Sequence, residues 1–503
     1  MTSPYLNPRR CALIFILPVF VLLCACQAHW PGKAQPVSRR PVLYPDYGET
    51  VIAPNIAPLN FKIKESGVKF LARIEGEKGG AVEVSSSDGR IVWPAGAWKQ
   101  LIAQNRGAAV RVTITVQDKD SAYRRFDAVR IDIAQEDVDR YVVYRLIPPM
   151  DHFWVQIGIH QRDLEGFSER PVIENQNFSV GWDGCVNCHS FRRNRPDRMS
   201  LQIRSASAGR PMVVIKDGVP QTVDTSASGF SKSPAAYQAW HPDGRNIAYS
   251  VNKVMPLGHT IGEHRDVWDD DSDLAVYDTD ANRVSTTRDI ADPDRRETWP
   301  SWSADGRTLY FCSAPQLPMA QLQEVKYDLM RISYDAATGA WGKRETVLSA
   351  ADSGASAAQP KESPDGRWLL FSLAHHGNFP IFQPTADLYA IDLKSGGSKA
   401  LTALNSKWSD SWHSWSSNGR WIAFASKREG GVLARIYFSY FDRNGQAHKP
   451  FVMPQEDPSF YESFTQTYNV PELIIEPVPV SPSQLGRAIA AKDAVPAPSL
   501  VRK

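Results

Sequence analysis

The residues of this chain with the clearest chemical potential lie within one short stretch, G-W-D-G-C-V-N-C-H-S-F, from Gly181 to Phe191. It contains Cys185 and Cys188, three positions apart, and His189 directly after the second thiol. Two thiols followed by an imidazole can attach a haem, ligate a metal ion or form a redox dithiol. The chain has only six cysteines in 503 residues, so this close pair needs an explanation.

The spacing C-x-x-C-H is that of covalent haem attachment. Two thiols must reach the two vinyl groups of one porphyrin, and the adjacent histidine must then lie beneath the ring to bind the iron. All three groups come from five consecutive residues, so no tertiary assembly is needed. The pattern therefore predicts one covalent haem c, with Cys185 and Cys188 as thioethers and His189 as an axial iron ligand.

Zinc and a redox dithiol are the alternatives at this position. A closed structural zinc site uses four cysteine or histidine ligands, usually as two spaced pairs, and the sequence has no second C-x-x-C. A thioredoxin-type dithiol needs a strand before the pair and a helix after it, whereas a polar, arginine-rich run follows here. A disulfide between these two cysteines would close almost no chain and would stabilise little. Haem is the favoured interpretation.

The flanking residues suit a haem. Phe178, Trp182 and Phe191 could cover an apolar macrocycle. Four arginines could neutralise its propionates, or could equally form a solvated surface loop: Arg192, Arg193, Arg195 and Arg198. The sequence does not determine the sixth iron ligand, because several methionine and histidine side chains are candidates: Met199, His160, His241, His259 and His413. A hydrogen-bonded structural role is expected for His241 and His413, which stand beside tryptophans.

The first 26 residues are typical of a secretory signal. Arg9 and Arg10 precede an apolar segment of about 15 residues that contains Pro18 and is too short for a comfortable membrane span. The segment ends in L-C-A-C and resembles a bacterial lipobox. This resemblance implies that Cys26 is diacylated and begins the mature chain, with a plain signal peptide or an uncleaved anchor as the alternative. Gln27, rather than an aspartate, then implies an anchor on the periplasmic side of the outer membrane.

Export agrees independently with haem attachment, which occurs outside the cytoplasm in bacteria. After cleavage, the folded part would keep three cysteines, the motif pair and Cys312. Residues 27–58 are polar and proline-rich and predict a tether. Residues 59–150 contain short segments with a period of two and predict a small antiparallel β-sandwich, with one helical candidate from Ala95 to Asn105.

An internal repeat is the strongest structural signal of the remaining chain. Four segments pair an Asp-Gly or Asn-Gly turn with a β-branched or aromatic strand, which is a hairpin signal: 240–250, 302–312, 362–372 and 415–425. The turn glycines are 62, 60 and 53 residues apart, longer than a WD40-type blade of about 40–45 residues. Inserted loops are therefore expected.

The repeated P-D-G-R hairpins resemble the propeller of TolB-like proteins. The wider order of a small β domain, one C-x-x-C-H and such a propeller resembles a group of uncharacterised bacterial exported proteins. The resemblance implies a mainly β fold with a haem-binding linker at 151–198 and a propeller of five to seven blades at 199–470. The Pro- and Ala-rich composition of residues 471–503 predicts a disordered tail. A weaker blade is expected at 199–223, and a sixth could be closed by N- or C-terminal strands.

Other functional signals are weak. The charge is nearly balanced, with 57 basic and 55 acidic residues, which argues against nucleic-acid binding. There is no P-loop, G-x-S-x-G or H-E-x-x-H motif. The acidic run at 266–273 could bind calcium but lacks EF-hand spacing, so a solvated loop is favoured. A structural or surface position is expected for His375 and His376.

Two functions from different classes follow from the sequence. The first is a lipid-anchored monohaem cytochrome that transfers electrons to a redox partner or envelope protein. The second is a recognition module whose propeller binds a protein or glycan, with the haem structural or sensory. A non-enzymatic role is favoured over a haem enzyme with an open sixth position.

Overall fold

The computed structural model describes residues 30–148, 157–178, 184–206, 208–230, 234–257 and 266–502. The predicted signal segment with Cys26 lies outside these ranges, as do Trp182 and His259. The regular structure is mainly β, as predicted. Among the described residues, no helix is both long enough and apolar enough to cross a bilayer.

Short strands and one helix form the N-terminal part of the described chain. In chain order they are β1 (Gln35–Val37), β2 (Leu43–Tyr44), β3 (Val51–Ile52), β4 (Phe61–Ile63), β5 (Lys69–Gly76), β6 (Ala81–Ser86), β7 (Arg90–Ile91), α1 (Ala95–Gln104), β8 (Ala109–Gln117), β9 (Tyr123–Phe126) and β10 (Val129–Ile133). Seven strands form a sheet in which β8 pairs with β5, β9 and β10, and three form a second sheet in the order β2–β4–β7. Apolar side chains of both sheets and of α1 share one core. The predicted helix is confirmed.

The segment 27–58 is not a free tether, because its described part contributes β1, β2 and β3. Strand β1 pairs parallel with β9, β3 pairs parallel with β10, and β2 pairs antiparallel with β4. Tyr47, Ile52 and Ile56 are buried in the shared core. The proline content was misleading because Pro36 lies in the edge strand β1, where a missing N–H is tolerated.

The rest of the described chain forms a β-propeller. Its elements are β11 (Tyr141–Ile147), β12 (Gly158–Asp163), β13 (Glu169–Glu174), β14 (Gly184–Arg192), β15 (Arg195–Ser205), β16 (Met212–Lys216), β17 (Val219–Asp224), β18 (Ala235–Trp240), β19 (Asn246–Leu257), β20 (Asp266–Asp278), β21 (Arg283–Thr286), β22 (Arg295–Trp302), β23 (Thr308–Pro315), β24 (Asp328–Asp335), β25 (Ala340–Leu348), α2 (Ala350–Ser353), β26 (Ser356–Glu362), β27 (Trp368–Ala374), β28 (Asp387–Asp392), β29 (Ser398–Ala400), β30 (Asp410–Trp415), β31 (Trp421–Ser426), β32 (Arg435–Tyr440), β33 (Phe451–Val452), α3 (Phe460–Ser463) and β34 (Thr467–Ile474). Short 3-10 turns lie at Asn175–Asn177, Thr225–Ser228, Met319–Glu324 and Pro380–Phe382.

The described strands group into six antiparallel blades. Blades I to V are β14–β17, β18–β21, β22–β25, β26–β29 and β30–β33, and blade VI has the order β13–β12–β11–β34. Successive first strands contact one another, and the ring closes where β34 meets β14. Blade VI thus joins three strands from before blade I to one from the C-terminal side. The count lies within the predicted five to seven, and the predicted closure by terminal strands is confirmed.

The repeated Asp-Gly and Asn-Gly turns form as predicted. Each turn glycine has a left-handed backbone, with φ from 66° to 76°, at Gly244, Gly306, Gly366 and Gly419. In each turn its N–H donates to a carbonyl three residues earlier. These turns connect the first two strands of blades II to V, so the repeat found in the sequence is the blade itself.

The tail after 471 is ordered, contrary to the predicted disorder. Residue 471 still lies in β34, and α4 (Pro482–Ala490), β35 (Val495–Pro496) and β36 (Ser499–Arg502) follow. Leu485 and Ile489 of α4 are buried in a core with residues of blades I and VI, while β35 and β36 extend blades I and II by parallel pairing. Proline signals a helix start here, because Pro482 follows the cap Ser481.

Candidate functional site at the propeller axis

The motif residues lie in β14, the innermost strand of blade I. The expectation of a haem-binding linker at 151–198 between two domains is therefore wrong, since its described residues form blade strands β12, β13 and β14. The propeller also begins before the predicted boundary at 199. The weaker blade expected at 199–223 is confirmed as strands β15 to β17 of blade I. Its innermost strand β14 is not predicted by the repeat, because the turn between β14 and β15 lacks glycine. Arg193 and Asn194 form that turn, both with left-handed φ, at 48° and 60°.

Each innermost strand carries the same bulge. At the bulge, two consecutive residues of the innermost strand lie opposite a single residue of the neighbouring strand. The first bulge residue has φ between 47° and 60°, and the six are Cys188, Tyr237, Trp299, Gln359, Trp412 and Val470. The second bulge residues are His189, Gln238, Pro300, Pro360, His413 and Pro471. We call these twelve residues the axial bulges. A left-handed backbone at bulky residues costs roughly 1–3 kcal/mol each, and such strain clusters at functional sites.

The axial bulges enclose a cavity of about 50 Å³ on the propeller axis, here called the axial cavity. All twelve bulge residues line it, together with Lys361 and Glu472. The Lys361 Nζ and Glu472 Oε1 atoms are 3.8 Å apart, and burial raises the pKa of Glu472. Two of the three predicted haem residues, Cys188 and His189, therefore face a common space with groups from every blade.

His189 is buried there, with 3% of its surface exposed. Neither ring nitrogen has a hydrogen-bond partner of good geometry among the described residues. Burial first, and then the positive charge of Arg145, lowers the pKa of His189 to about 3, although backbone groups of Val143 and Val470 oppose the shift. The imidazole is thus neutral at physiological pH, which is the state that binds metals.

Cys185 lies on a different surface of β14 from Cys188. Its thiol packs in the core between blades I and VI and accepts a hydrogen bond from Asn187 Nδ2 at 2.8 Å. Residues three apart in a strand face opposite sides, and both cysteines are free and buried. Burial also raises the pKa of the Cys185 thiol. The fold brings Cys188 and His189 together and keeps Cys185 away from the axial cavity.

Aromatic rings surround the axial cavity on blades II, III and V. Tyr237 stacks on Trp299 with ring centroids 3.7 Å apart, and Trp412 meets Trp299 edge-on at 5.0 Å. Trp299 Nε1 donates to the Asn378 carbonyl at 2.9 Å, whereas Trp412 Nε1 has no partner among the described residues. This aromatic group makes the surroundings of His189 apolar.

The five candidates for a sixth iron ligand lie in different places. His413 lines the axial cavity, is 4% exposed, and has no partner of good geometry for either ring nitrogen within the described ranges, although backbone groups of Gln359 and Leu370 act on its pKa. His241 has the predicted structural role, since its Nε2 lies 2.8 Å from the Gly306 carbonyl oxygen and its Nδ1 accepts from the Asp243 N–H. His160 lies on β12, stacked against Tyr144. Met199 is buried in the core that contains Cys185. His259 falls outside the described residues.

A second cavity of about 330 Å³ adjoins the first, and Lys361 and Glu472 line both. Indole rings at one repeated position contribute to its wall: Trp240, Trp302 and Trp415. Trp302 Nε1 donates to the Ala239 carbonyl of the preceding blade at 3.2 Å, and Trp415 Nε1 donates likewise to Lys361 at 3.0 Å. Trp240 Nε1, at the same position of blade II, has no partner among the described residues.

The turn after the motif strand crosses the axis at this second cavity. Arg193 of blade I donates to the Ala304 carbonyl of blade III at 2.8 Å. Asn194 Nδ2 donates to the Trp415 carbonyl of blade V at 2.7 Å and to the Leu473 carbonyl of blade VI at 2.8 Å. We call this turn the axial plug, because it links blades on opposite sides of the ring.

The flanking arginines have partners other than a ligand. Arg192 and Arg198 pair with Asp197 and Asp217 at 2.8 and 2.6 Å, and Arg195 lies 3.6 Å from Asp197. Phe178 and Phe191 share the core of Cys185. The four arginines thus belong to the turn between β14 and β15 or to the ion pairs around it. The two phenylalanines belong to the core between blades.

The remaining sequence candidates have structural positions. The acidic run is part of strand β20, where Asp269 is buried and accepts hydrogen bonds from Asn252 and Asn378 at 2.7 and 3.0 Å. Neither the solvated loop nor the calcium loop is present in its described residues. His376 Nε2 lies 2.8 Å from an Asp266 carboxylate oxygen, and His375 is exposed. Cys312 is buried in β23. Within the described ranges, no three histidine, cysteine or acidic side chains converge as a metal-binding group.

The axial bulges were missed at the level of sequence, although a signal for them exists. In four of the six blades the bulge precedes an aromatic residue at a fixed distance, so that C-H-S-F of the motif aligns with Y-Q-A-W, W-P-S-W and W-H-S-W of blades II, III and V. The left-handed backbone of the first bulge residue is seen only in the structure. The alignment places the Cys-His pair at the axis.

Comparison with known proteins gives only distant likenesses. No protein-family model and no curated protein matches the chain. An oligogalacturonate lyase from Vibrio parahaemolyticus has 11% identity and a TM-score of 0.31, covering 60% of this chain and 92% of that one. The propeller domain of the Trilobed protease from Pyrococcus furiosus has 12% and 0.30, covering 66% and 79%. Prolyl oligopeptidase B from Galerina marginata has 11% and 0.36, covering 68% of this chain and 42% of that one. The propeller assignment therefore rests on the strand order.

Proposed function

We propose that this protein is a c-type cytochrome that binds one haem covalently at the propeller axis and transfers electrons. The thiols of Cys185 and Cys188 would form the thioethers, and His189 would bind the iron. The observation that carries the proposal is the position of Cys188 and His189 as the axial bulge of blade I. There a buried imidazole, neither of whose ring nitrogens has a hydrogen-bond partner of good geometry among the described residues, faces the axial cavity.

The donor chemistry fits this group. Buried polar atoms almost always have a well-formed partner, whereas the nitrogens of His189 have only the backbone groups of Val143 and Val470 near them, without good hydrogen-bond geometry, so a metal bond would satisfy one of them better. The lowered pKa of His189 keeps the ring neutral, and neutral imidazole is the ligand form. Each thiol would add its sulfur to one vinyl carbon and its hydrogen to the neighbouring carbon, so attachment consumes no oxidant.

The volume of the axial cavity limits how a haem would be bound there. The axial cavity measures about 50 Å³, whereas sites for organic ligands usually measure about 300–1,000 Å³. Attachment therefore requires that side chains such as Tyr237 and Trp412 move aside, and that β14 turn at Cys185 so that both thiols face the axis. Because both thiols are buried, attachment would precede closure of the ring by β34.

When bound, the haem would supply a one-electron iron couple whose potential depends on ligands and burial. The chain itself would exclude water through the aromatic group and hold a neutral nitrogen at His189. It would also keep the Lys361 and Glu472 side chains beside the cavity. A partner redox protein would supply and accept single electrons.

Export and lipid anchoring belong to the same proposal. Cys26 would be diacylated and would hold the protein on the periplasmic side of the outer membrane. Labelling with radioactive palmitate tests this, with label expected in the wild type and in Cys24→Ser, and lost in Cys26→Ser. Label retained in Cys26→Ser would disprove the assigned lipidation site.

A pyridine haemochrome assay on protein exported in a host with haem-attachment machinery tests the central claim. One haem per chain, resistant to acid–acetone extraction, is expected in the wild type and in Cys312→Ala, which removes a buried thiol outside the motif. The double variant Cys185→Ala/Cys188→Ala should contain none. Absence of covalent haem from the wild type would overturn the proposal.

The second cavity favours one further function, recognition of a glycan or peptide on the axis. Its volume of about 330 Å³ lies within the usual range for ligands, and its lining combines indole rings with Lys361 and Glu362. N-acetylglucosamine oligomers and envelope peptides are suitable probes. A rise in melting temperature that Lys361→Met abolishes would support this role, and no rise with either probe class would count against it.

A further inference from the structure

We propose that the second cavity binds a sugar acid, a polyhydroxylated ring that carries a carboxylate. The inference rests on the recognition role proposed for this cavity and is independent of the haem. Two cationic side chains line the cavity, Lys361 of blade IV and Arg193 of the axial plug, and Arg193 is exposed to solvent. They provide positive charge for the carboxylate of a ligand.

Lys361 is the group best placed to bind the carboxylate. Its side chain is 34% exposed, and its Nζ lies 3.8 Å from Glu472 Oε1, which is longer than the 2.7–3.2 Å of a normal hydrogen bond. The ammonium group has three donors, so it can bind a ligand oxygen without first breaking a short ion pair. A hydrogen bond between an ammonium and a carboxylate is about twice as strong as one between neutral groups.

The two carboxyl groups of the lining oppose an anionic ligand only weakly. Glu362 Oε1 already accepts from the Ala304 N–H at 2.8 Å. Burial raises the pKa of both Glu362 and Glu472, so each carboxyl keeps its proton to a higher pH than an exposed one. An incoming carboxylate therefore meets less negative charge than the residue types alone would indicate.

The neutral polar groups of the lining suit the hydroxyls of a sugar. Trp240 and Ser414 line the cavity and are 6% and 7% exposed, yet Trp240 Nε1 and Ser414 Oγ have no partner among the described residues. Buried polar atoms are normally partnered, so a ligand with hydroxyl and ring oxygens would satisfy both. The indole rings of the wall provide apolar surface for the C–H groups of the same ring.

A peptide suits the cavity less well, because a peptide that docks by main-chain pairing needs free backbone groups. Six backbone groups of the lining are already bonded to side chains: the Ala304 N–H and the carbonyls of Ala239, Ala304, Lys361, Trp415 and Leu473. The unpartnered Trp240 and Ser414 groups and the Lys361 ammonium are all side-chain donors. The lining therefore favours a ligand rich in hydroxyl and carboxylate oxygens.

Isothermal titration calorimetry of the full-length exported protein in detergent tests the inference. The probes are cellobiouronic acid and cellobiose, which differ only in a carboxylate that replaces a hydroxymethyl group. The acid should bind at least about tenfold more tightly than the neutral sugar, as expected for one charge-assisted hydrogen bond. The difference should shrink as sodium chloride is added, because Lys361 is partly exposed and its charge is screened.

Charge variants identify the group that binds the carboxylate. Lys361→Met keeps the aliphatic chain but removes the charge, so the acid should bind about tenfold more weakly while cellobiose is affected little. Lys343→Met, on the exposed outer strand β25, removes an equal charge away from the cavity and should keep the wild-type preference. Glu472→Gln should bind the acid more tightly, because Lys361 then has no carboxylate partner. If Lys361→Met does not fold, the double variant with Glu472→Gln avoids a buried carboxyl without its partner.

Indole variants test the binding of the sugar ring itself. Trp240→Phe removes an N–H that has no partner in the described chain, so both probes should bind several-fold more weakly, by about two- to tenfold. Trp302→Phe removes an N–H that is already bonded to the Ala239 carbonyl, so it should weaken binding less than Trp240→Phe. An equal loss in the two variants would show that Trp240 Nε1 does not bind the sugar and would overturn that part of the inference.

The possible failures are distinguishable. Equal affinity for the two sugars, or a preference for the acid that Lys361→Met keeps, would overturn the inference and leave the recognition role standing. Binding of an envelope peptide with no binding of either sugar would do the same. No binding of either sugar or of a peptide would overturn the recognition role and this inference together. The haem content of the same protein, measured separately, decides the cytochrome proposal in every case.

Discussion

Asn194 of the axial plug should be among the most sensitive positions of the propeller. Its side-chain nitrogen donates to two carbonyls on different blades, at Trp415 and Leu473, and its backbone carbonyl accepts from the Ile475 N–H at 3.0 Å. Its φ of 60° is left-handed, a conformation that asparagine tolerates better than most residues. Replacing Asn194 with alanine removes both side-chain bonds and places in the left-handed backbone a residue that lacks asparagine's tolerance of it.

The magnitude follows from these two contributions. Each lost hydrogen bond costs about 0.5–1.5 kcal/mol, and the left-handed backbone costs alanine about 1–2 kcal/mol more. The free energy of unfolding should therefore fall by about 3 kcal/mol in Asn194→Ala. Asn194→Gly loses the bonds but keeps an unstrained backbone, so it should lose about 2 kcal/mol. Asn194→Asp should be worse than glycine, since it would point a carboxylate at two carbonyl oxygens.

Urea unfolding followed by tryptophan fluorescence measures these differences, provided that the slope with denaturant is unchanged. The expected order of stability is wild type, then glycine, then alanine. If alanine and glycine both lay within about 0.5 kcal/mol of the wild type, the axial plug would not link the blades as described. If they were equally destabilised, the backbone contribution would be wrong and the hydrogen bonds would account for the whole effect.

Three further results are expected. Burial raises the pKa of Glu297 to about 8, so the folded state keeps a proton that the unfolded state releases above its ordinary pKa. Stability should fall by about 3 kcal/mol between pH 6 and pH 9 through this group, and urea midpoints of Glu297→Gln should lack that loss. In haem-free protein without the signal, the three cysteines of the described chain should resist Ellman's reagent until urea is added, because all are buried. Rapid reaction of any of them would contradict the burial. Trp302→Phe should lose about 1 kcal/mol with its hydrogen bond to Ala239, and Trp240→Phe should lose less, as melting temperatures would show.

Local patterns in the sequence predict much of the propeller. The Asp-Gly and Asn-Gly turns require left-handed glycines, so the blades that contain them are visible directly. The innermost strand of blade I is not, because its turn uses Arg193 and Asn194, which are weaker turn signals than glycine, so that only the outer strands at 199–223 are predicted, as a weaker blade. Blade VI is hidden for another reason. Its innermost strand β34 lies about 300 residues from its other strands in the chain, and no local pattern encodes a pairing at that distance.

The candidate site likewise has one part that local sequence patterns predict and another part that they do not. The spacing of Cys185, Cys188 and His189 is local and was read from the sequence. The axial cavity is assembled from six strands, so its lining could not be listed in advance. The left-handed bulge at Trp299 or Gln359 also carries no propensity signal, since these residue types rarely adopt it and do so here only because neighbouring blades impose it.

Comparison of the motif with the same positions in the other blades shows how strongly each residue of C-x-x-C-H supports haem binding. His189, the serine after it and Phe191 correspond to His413, a serine and Trp415 of blade V, where no cysteine is present. A buried histidine at this bulge is thus a feature that the propeller can repeat without any cofactor. The thiols are different, since the innermost strands of blades II to VI contain no cysteine. The case for haem therefore rests on the two cysteines more than on the histidine. In this view the repeat supplies two imidazoles at one level of the axis, and the cysteines beside one of them would turn a packing position into a site of attachment.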